Sequence, residues 1–362
     1  SKVKKYSQTR YGSATGYGNW SRSDYDYTNN DLIVSFKNGN LKIDSGIKSS
    51  KAFRKGSSNT LTKDNMGIFS QLQLAINSTL YSIGVRKETV DHEYKPNTGA
   101  SDKKETKFTA FDIGFNSKLS ETTSIFSNYN QAFQSPDVDR YFKWNSGYTG
   151  LEYDGNLKAP TSKTFNIGLN HLTDNSKTKA ALFRANLKNE IYLCKSELDS
   201  SCGNGLNTNL DKSHKYGLEL QNKYNVNSKL STNVSYAFTV AKIDSEDKGS
   251  GSVNGKTHPM TSKHNISVSA MYSLNDKANM TLTQKYRSKG FASEDFSNSF
   301  TQKQMSYNST DFNFSYTTDK ELELSFDVEN LFDNSYGTVL RDDVIYPASF
   351  TRNITLSLSR KF

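Results

Sequence analysis

The sequence predicts an all-β chain, and within that class a transmembrane antiparallel β-barrel. Three observations carry this. Apolar residues recur with a period of two along most of the chain, and helical spacing appears nowhere at that strength. Short turn-forming clusters alternate with long polar stretches. Aromatics reach 12% although only 34% of residues are hydrophobic, with 21 Tyr and 21 Phe. Such polarity with few aromatics would indicate disorder. With many aromatics it indicates apolar residues spread in a thin, regular pattern.

The strands can be read in chain order. Leu32, Val34 and Phe36 share a face, as do Leu72, Leu74 and Ile76, then Phe111, Ile113 and Phe115. Phe165, Ile167 and Leu169 follow, then Tyr216, Leu218 and Leu220, then Val234, Tyr236, Phe238 and Val240. Ile266, Val268, Ala270 and Tyr272 form the next row. Leu322, Leu324, Phe326 and Val328 alternate with Glu321, Glu323, Ser325 and Asp327. At the end Phe350, Ile354, Leu356, Leu358 and Phe362 oppose Thr351, Asn353, Thr355, Ser357, Ser359 and Lys361. About fifteen or sixteen strands are expected, each crossing a bilayer with about 9–11 residues.

The joints separate a membrane barrel from a soluble β-protein. Turn chemistry clusters at residues 173–177, 225–229, 274–277 and 317–320. Long polar stretches lie at 134–160, 196–212, 243–260, 291–303 and 333–346. Short turns at one rim and long loops at the other are the habit of a transmembrane barrel. Closure is expected, because an open edge in hydrocarbon leaves N–H and C=O groups unpaired at several kcal/mol each. No run approaches the roughly 18 apolar residues of a membrane-crossing helix. Ser1-Lys2-Val3-Lys4-Lys5-Tyr6 carries no apolar signal-peptide core, so a mature or incomplete start is expected.

Composition narrows the partners. The net charge of +9 fits a basic lumen or rim that attracts anionic ligands or lipid headgroups, or a simply solvated surface. The lysines are spread along the chain, which argues against nucleic acid. Cys194 and Cys202 lie in a polar segment with no His or further Cys placed to complete a zinc site. A small-loop disulfide is the expected arrangement, in keeping with an oxidising compartment. No catalytic constellation or cofactor site emerges. Ser250–Thr257 approximates a phosphate-binding loop, but its first glycine is missing and His258-Pro259 forbid the following helix. Scattered His92, His171, His214, His258 and His264 suit rim positions. The acidic pairs Glu246-Asp247 and Asp342-Asp343 read as solvated loop charge, with calcium the alternative.

The run Asn330-Leu331-Phe332-Asp333-Asn334-Ser335-Tyr336 resembles the "NLFD-x-x-Y" signature of TonB-dependent receptors, about thirty residues before the terminal Phe362. Tyr346–Arg352 resembles the stretch opening that family's last strand. Upstream, Asn130–Val138 is similar to the family's "GFRAPS" segment, and Leu157–Lys163 to its "LKPETS". Tyr216–Leu220 is similar to its "GxEL" strand, and His258–Asn265 to "P-x-x-P-x-H", lacking the second proline. The ordered match covers roughly residues 105–362. Arg360 departs from it, standing where a lipid-facing apolar residue is usual, and Ala132-Phe133-Gln134-Ser135-Pro136 departs from the haem-receptor form.

The resemblance implies a barrel of about 22 strands. Residues 1–362 would then be its partial wall, with the plug domain and about six strands absent. It implies a bacterial outer-membrane protein, surrounded by lipid, that takes up a ferric siderophore or similar chelate. Energy would come from the inner-membrane TonB complex through the plug, without catalysis. Haem or cobalamin uptake by the same class, a passive 16-stranded porin, and an adhesive barrel are the alternatives. Ligand contacts are expected from Arg140, Tyr141, Trp144 and Tyr148 in one loop and from Tyr336, Arg341 and Tyr346 in the last. Arg287 joins them, on the lumen face of its strand because Met280, Leu282 and Tyr286 mark the lipid face.

Alternation makes a direct prediction for neighbours in the last strand. In Leu356→Cys and Ser357→Cys variants, a water-soluble maleimide is expected to label position 357 and to spare position 356. Equal labelling of the two would defeat the membrane reading.

Overall fold

The computed structural model describes residues 2–9, 12–13, 16–17, 21–56, 59–137, 140, 142–144, 151–153, 157–194, 206–246, 253–318, 322–335, 337–341, 344–347 and 352–360. Among them no α-helix occurs, and sixteen strands join in one sheet in strict chain order. They are β1 (Lys2–Thr9), β2 (Ser21–Asn38), β3 (Leu41–Lys55), β4 (Asn59–Ile76), β5 (Thr79–Pro96), β6 (Asp102–Lys118), β7 (Thr123–Phe133) and β8 (Thr161–Leu172). Then come β9 (Ser176–Cys194), β10 (Leu206–Asn225), β11 (Leu230–Glu246), β12 (His264–Asn275), β13 (Ala278–Arg287), β14 (Tyr307–Thr317), β15 (Leu322–Glu329) and β16 (Asn353–Arg360). Short hairpins at Phe142–Trp144 with Leu151–Tyr153, and Gly337–Arg341 with Val344–Pro347, sit within two of the long connections. The order has two ends, β1 and β16, which the described residues do not join.

The residues fall into two compact units. The first holds β1–β5 and the outer parts of β6–β10, and the second holds the remainder. In the first, register stacks Phe36, Ile43, Leu72 and Ile83 in one row across β2–β5. In the second, Leu230, Tyr272, Met280, Phe314, Phe326 and Leu356 form a row across six strands. These side chains are large and apolar; Phe36, Ile83, Tyr272, Phe326 and Leu356 are exposed, Leu356 by 76%, and the others are half-buried. A surface so apolar, repeated row upon row, suits hydrocarbon and not water. Arg360 pairs with Leu322 on this apolar face, at the end of the sheet's last strand.

The short turns fall where turn chemistry predicts. Thr173 and Ser176, Asn227 and Leu230, and Asn275 and Ala278 close them through backbone or side-chain bonds. Two tighter links, at Gly39-Asn40 and Asn77-Ser78, place Gly39 and Asn77 at positive φ, as two-residue hairpin loops require. Strands of 18 to 20 residues outrun a bilayer and continue toward the long connections. Part of the predicted loops 196–212 and 243–260 is therefore strand.

The polar face is not uniformly polar. Phe69 lies over Gly46 in the first unit, and Phe126 over Gly168 and Phe183 over Gly217 in the second. Each ring covers the bare backbone of the neighbouring strand, where a side chain would not fit. The "NLFD" segment is a lock at the outer ends of the last strands. Asn330 and Asp333 take positive φ. The Asn330 carboxamide bonds both the N–H and the C=O of Asn334, at 3.0 Å each. The Asn330 N–H donates to Asp311 in β14 at 3.0 Å, and Asp333 accepts the N–H of Arg352, next to β16, at 2.7 Å. Tyr336 and Phe362 lie outside the described residues.

At Gly217 an added Cβ would stand 1.9 Å from the Phe238 carbonyl oxygen, a backbone atom that cannot swing aside. Gly217→Ala should therefore cost about 1–3 kcal/mol through overpacking. The check is the fraction of refolded chain that stays compact on an unheated gel; no loss would show that the strands can part locally.

Candidate functional site

The first unit builds a clasp from residues far apart in sequence. Its cause is the register of β4 and β5, which sets Lys63 opposite His92, beyond the exposed apolar band that ends near Met66 and Val85. Lys63 Nζ donates to the carbonyl oxygens of Ser135 at 3.1 Å and Pro136 at 3.0 Å. His92 Nε2 lies 3.3 Å from the same Pro136 oxygen, and the ring is 5% exposed. Lys104 Nζ donates to the Leu157 oxygen at 3.0 Å. Asn209, 2% exposed, accepts the Lys158 N–H at 2.9 Å and donates to the Lys158 and Asn189 oxygens at 3.0 and 2.8 Å. The Gln134 N–H donates to the Pro160 oxygen at 2.9 Å, joining the two feet of the 134–160 connection.

The described parts of both family-like segments, 130–137 and 157–163, thus meet at this clasp. Their role here is to hold a long connection at its feet, on cations that point at carbonyl oxygens. Glu88 lies just below in the same hairpin, accepting from Asn65 at 3.1 Å and from both Arg86 Nε and Nη2. On the same polar face a cavity of about 480 Å³ is lined by Asp31, Lys48, Phe69, Arg86, Asp112 and Asn130, among others.

Burial pushes the His92 imidazole down to about 4, with the Lys63 and Lys104 cations adding to the shift and the Pro136 hydrogen bond and Asp137 opposing it. Burial also lowers Lys63, with Asp137 and Glu88 pulling it back up. At neutral pH the clasp therefore holds an uncharged ring beside a cation.

The residues named from sequence divide. Arg140 is exposed within the 134–160 connection, and its carbonyl accepts from Asn207 at 3.3 Å. Trp144 lies in one short hairpin, and Arg341 and Tyr346 in the other, where Arg341 pairs with Val344 and Tyr346 with Val339. Tyr141, Tyr148 and Tyr336 lie outside the described residues. Arg287 ends β13 on the face opposite Tyr286 and Leu282, as alternation predicts. Cys194 ends β9, buried, with its sulfur in a disulfide; Cys202 lies outside the described residues. Among the described residues no cluster of His, Cys, Asp or Glu is arranged to hold a metal ion. The clasp residues Lys63, Lys104 and Asn209 escaped the sequence reading, and His92 was read there only as one of five scattered rim histidines, because nothing local marks a lysine that will meet a carbonyl 72 positions away.

A family model described as "TonB dependent receptor-like, beta-barrel" matches residues 3–331. The chain belongs to the TonB-dependent receptor family. No curated protein matches it. Among solved structures it is similar to the copper transporter OprC, at TM-score 0.76 and 15% identity over 92% of this chain and 56% of that one. It is also similar to the siderophore receptor PiuA from Acinetobacter baumannii, at TM-score 0.75 and 16% identity over 98% and 57%. The ferric-catecholate import receptor Fiu from K12 E. coli follows at TM-score 0.71 and 16% identity over 98% and 59%. At these identities the likeness establishes the fold. The chain spans a little over half the length of each of these three proteins.

The His92 shift makes the clasp pH-sensitive with a defined sign. Its folded pKa of about 4 lies below the ordinary 6.5, so the opened state takes up a proton that the closed state refuses. Stability is complete above pH 6.5 and falls by on the order of 3 kcal/mol as pH drops to about 4. Hydrogen-exchange protection of the Gln134 amide, corrected for intrinsic rates, should drop about twentyfold between pH 7 and pH 5. In His92→Asn it should stay level, and a level profile in the unmodified chain would contradict the assignment.

Proposed function

We propose that this chain is the membrane-spanning wall of an outer-membrane receptor for energy-coupled uptake of a metal chelate, a ferric siderophore first among them. The observation that carries the reading is the family match across residues 3–331, on a sheet with one apolar and one polar face. The apolar rows give the lipid contact, and the long connections give the capture surface. Residues 1–362 act as the barrel portion, with transport driven by the inner-membrane TonB complex through a plug domain. The sheet contributes binding and a path, and no chemical step.

Several features support capture by the outer connections. Arg140 is presented, exposed, from a connection whose feet are clasped. Pre-organisation of that kind lowers the entropic cost of binding. Tyr141, Trp144 and Tyr148 in the same stretch, and Tyr336, Arg341 and Tyr346 in the last, would add flat aromatic surface and positive charge, which suit an anionic iron complex. Cys194 with Cys202 would close a small loop beside them.

Cells carrying the complete receptor should accumulate radioactive iron from a ferric siderophore only while the inner-membrane energy source is intact. The family's uptake reading would be lost if accumulation survived its removal. A steady, ligand-independent conductance in planar bilayers would instead favour a passive pore.

A further inference from the structure

β11 outlasts its neighbour. Its pairing with β12 ends at Phe238 and His264, yet the strand runs on to Glu246. The freed outer end turns to residues 253–258 of the β11–β12 connection. The Ile243 N–H donates to the Lys256 oxygen at 2.9 Å, the Gly255 N–H to the Ile243 oxygen at 2.8 Å, and the His258 N–H to the Ala241 oxygen at 3.1 Å. Ala241 and Ile243 continue the polar-face alternation of Asn233, Ser235 and Ala237, and both are shut off from solvent. Val253 in this connection is equally buried, and so are Ala292 and Asp295 in the β13–β14 connection. Connections that run freely over a surface bury few side chains so completely.

The β13–β14 connection is built around the Asp295 carboxylate. One of its oxygens accepts the N–H groups of Ser299 at 2.7 Å and Phe300 at 3.3 Å, and Lys303 Nζ lies 3.4 Å from the other. That cation also stands 4.5 Å from the centre of the Phe291 ring. The turn so formed sets Asn298 at a positive φ of 57°, which asparagine tolerates better than most residues. Its carboxamide reaches the β11–β12 connection, where it accepts the Thr257 N–H at 2.7 Å and donates to the Thr257 oxygen at 2.9 Å. The side chain thus pairs with Thr257 as the backbone of a neighbouring strand would. Two further ties join the same connections. The Met260 N–H donates to the Phe291 oxygen at 3.0 Å, and the His258 ring meets the Phe296 ring edge-on, with centres 5.9 Å apart.

We propose that the β11–β12 and β13–β14 connections form one rigid overhang on the polar face of the second unit, latched by Asn298, and that they unfold as a single cooperative unit. This goes beyond the receptor reading and holds whatever solute the chain captures. Cooperativity follows from how the bonds are shared. Unravelling either connection breaks both Asn298–Thr257 bonds, the Met260–Phe291 bond and the His258–Phe296 contact at once. The other connection is then left with unpaired backbone groups beside its buried side chains, and it has little left to hold it. A solute that reaches the polar face past β11–β14 therefore meets a rim ordered during folding, and binding there requires no further ordering of the chain.

Hydrogen exchange of the complete receptor in detergent, followed by mass spectrometry, tests this. At a pH high enough that every opening ends in exchange, peptides covering 253–260 and 292–304 should open at the same rate in the unmodified protein. Rates that differ by more than about threefold would overturn the single unit. Asn298→Gly removes the carboxamide and leaves the positive φ accessible. It should speed exchange at the Gly255, Lys256 and His258 amides about tenfold, although none of them bonds Asn298. A change confined to Thr257, Ser299 and Phe300 would mean two independent connections. Val253→Ser, on the other side of the latch, should speed Ser299 and Phe300 by a similar factor, and level exchange there would break the coupling. The amides of Val268 and Leu282, within β12 and β13, should stay level in both variants. Their acceleration alongside the connections would replace the overhang with a general loosening of the sheet.

Discussion

A strand in hydrocarbon can send its N–H and C=O groups only to another strand, and this pairing requirement orders everything else in the chain. It forces each segment into a ladder with its chain neighbours and makes register a matter of survival in lipid. Once register holds, side chains separate by parity: Met280, Phe314 and Phe326 to one face, Thr281, Asn313 and Asp327 to the other. A slip of one residue would turn carboxylates into lipid and apolar side chains into water. The dense turn chemistry at one rim keeps the register in place, since Asn227 and Asn275 each tie two backbone N–H groups of their own turns.

With the apolar face so constrained, the particular character of the chain lies on the polar face and at the outer strand ends. Phenylalanine rings cover glycines where adjacent backbones crowd. Carboxylates such as Glu88 and Asp311 act as hubs for cations and amides. The segments that resemble family signatures turn out to be joints. Asn330 locks the last hairpin to β14, and the stretches at 130–137 and 157–163 are gripped by Lys63, His92, Lys104 and Asn209. These joints fix the long 134–160 connection at its feet while leaving its middle free in composition.

The clasp also shows why charge on this chain is not merely a solvated surface. Lys63 and Lys104 spend their donors on backbone oxygens that have no strand partner, satisfying groups that would otherwise be buried without one. His92 completes the arrangement as a neutral ring, because burial and two nearby cations disfavour a third positive charge.

Read alone, the sequence determined the all-β class, the face to which Leu324, Phe326, Leu356 and Arg287 point, the positions of the short turns and the family resemblance. Period two and turn propensity are local properties, and each is written within a few consecutive residues. Only the tertiary structure decided that several strands run to 18 or 20 residues, that Lys63 and His92 hold Pro136, and that Asp311 receives Asn330. It also decided that Lys285 meets Asp311 and that Arg287 lies over the ring of Tyr307. Those facts depend on which residues register brings opposite one another across many positions of sequence, and no spacing within a single strand encodes its partner.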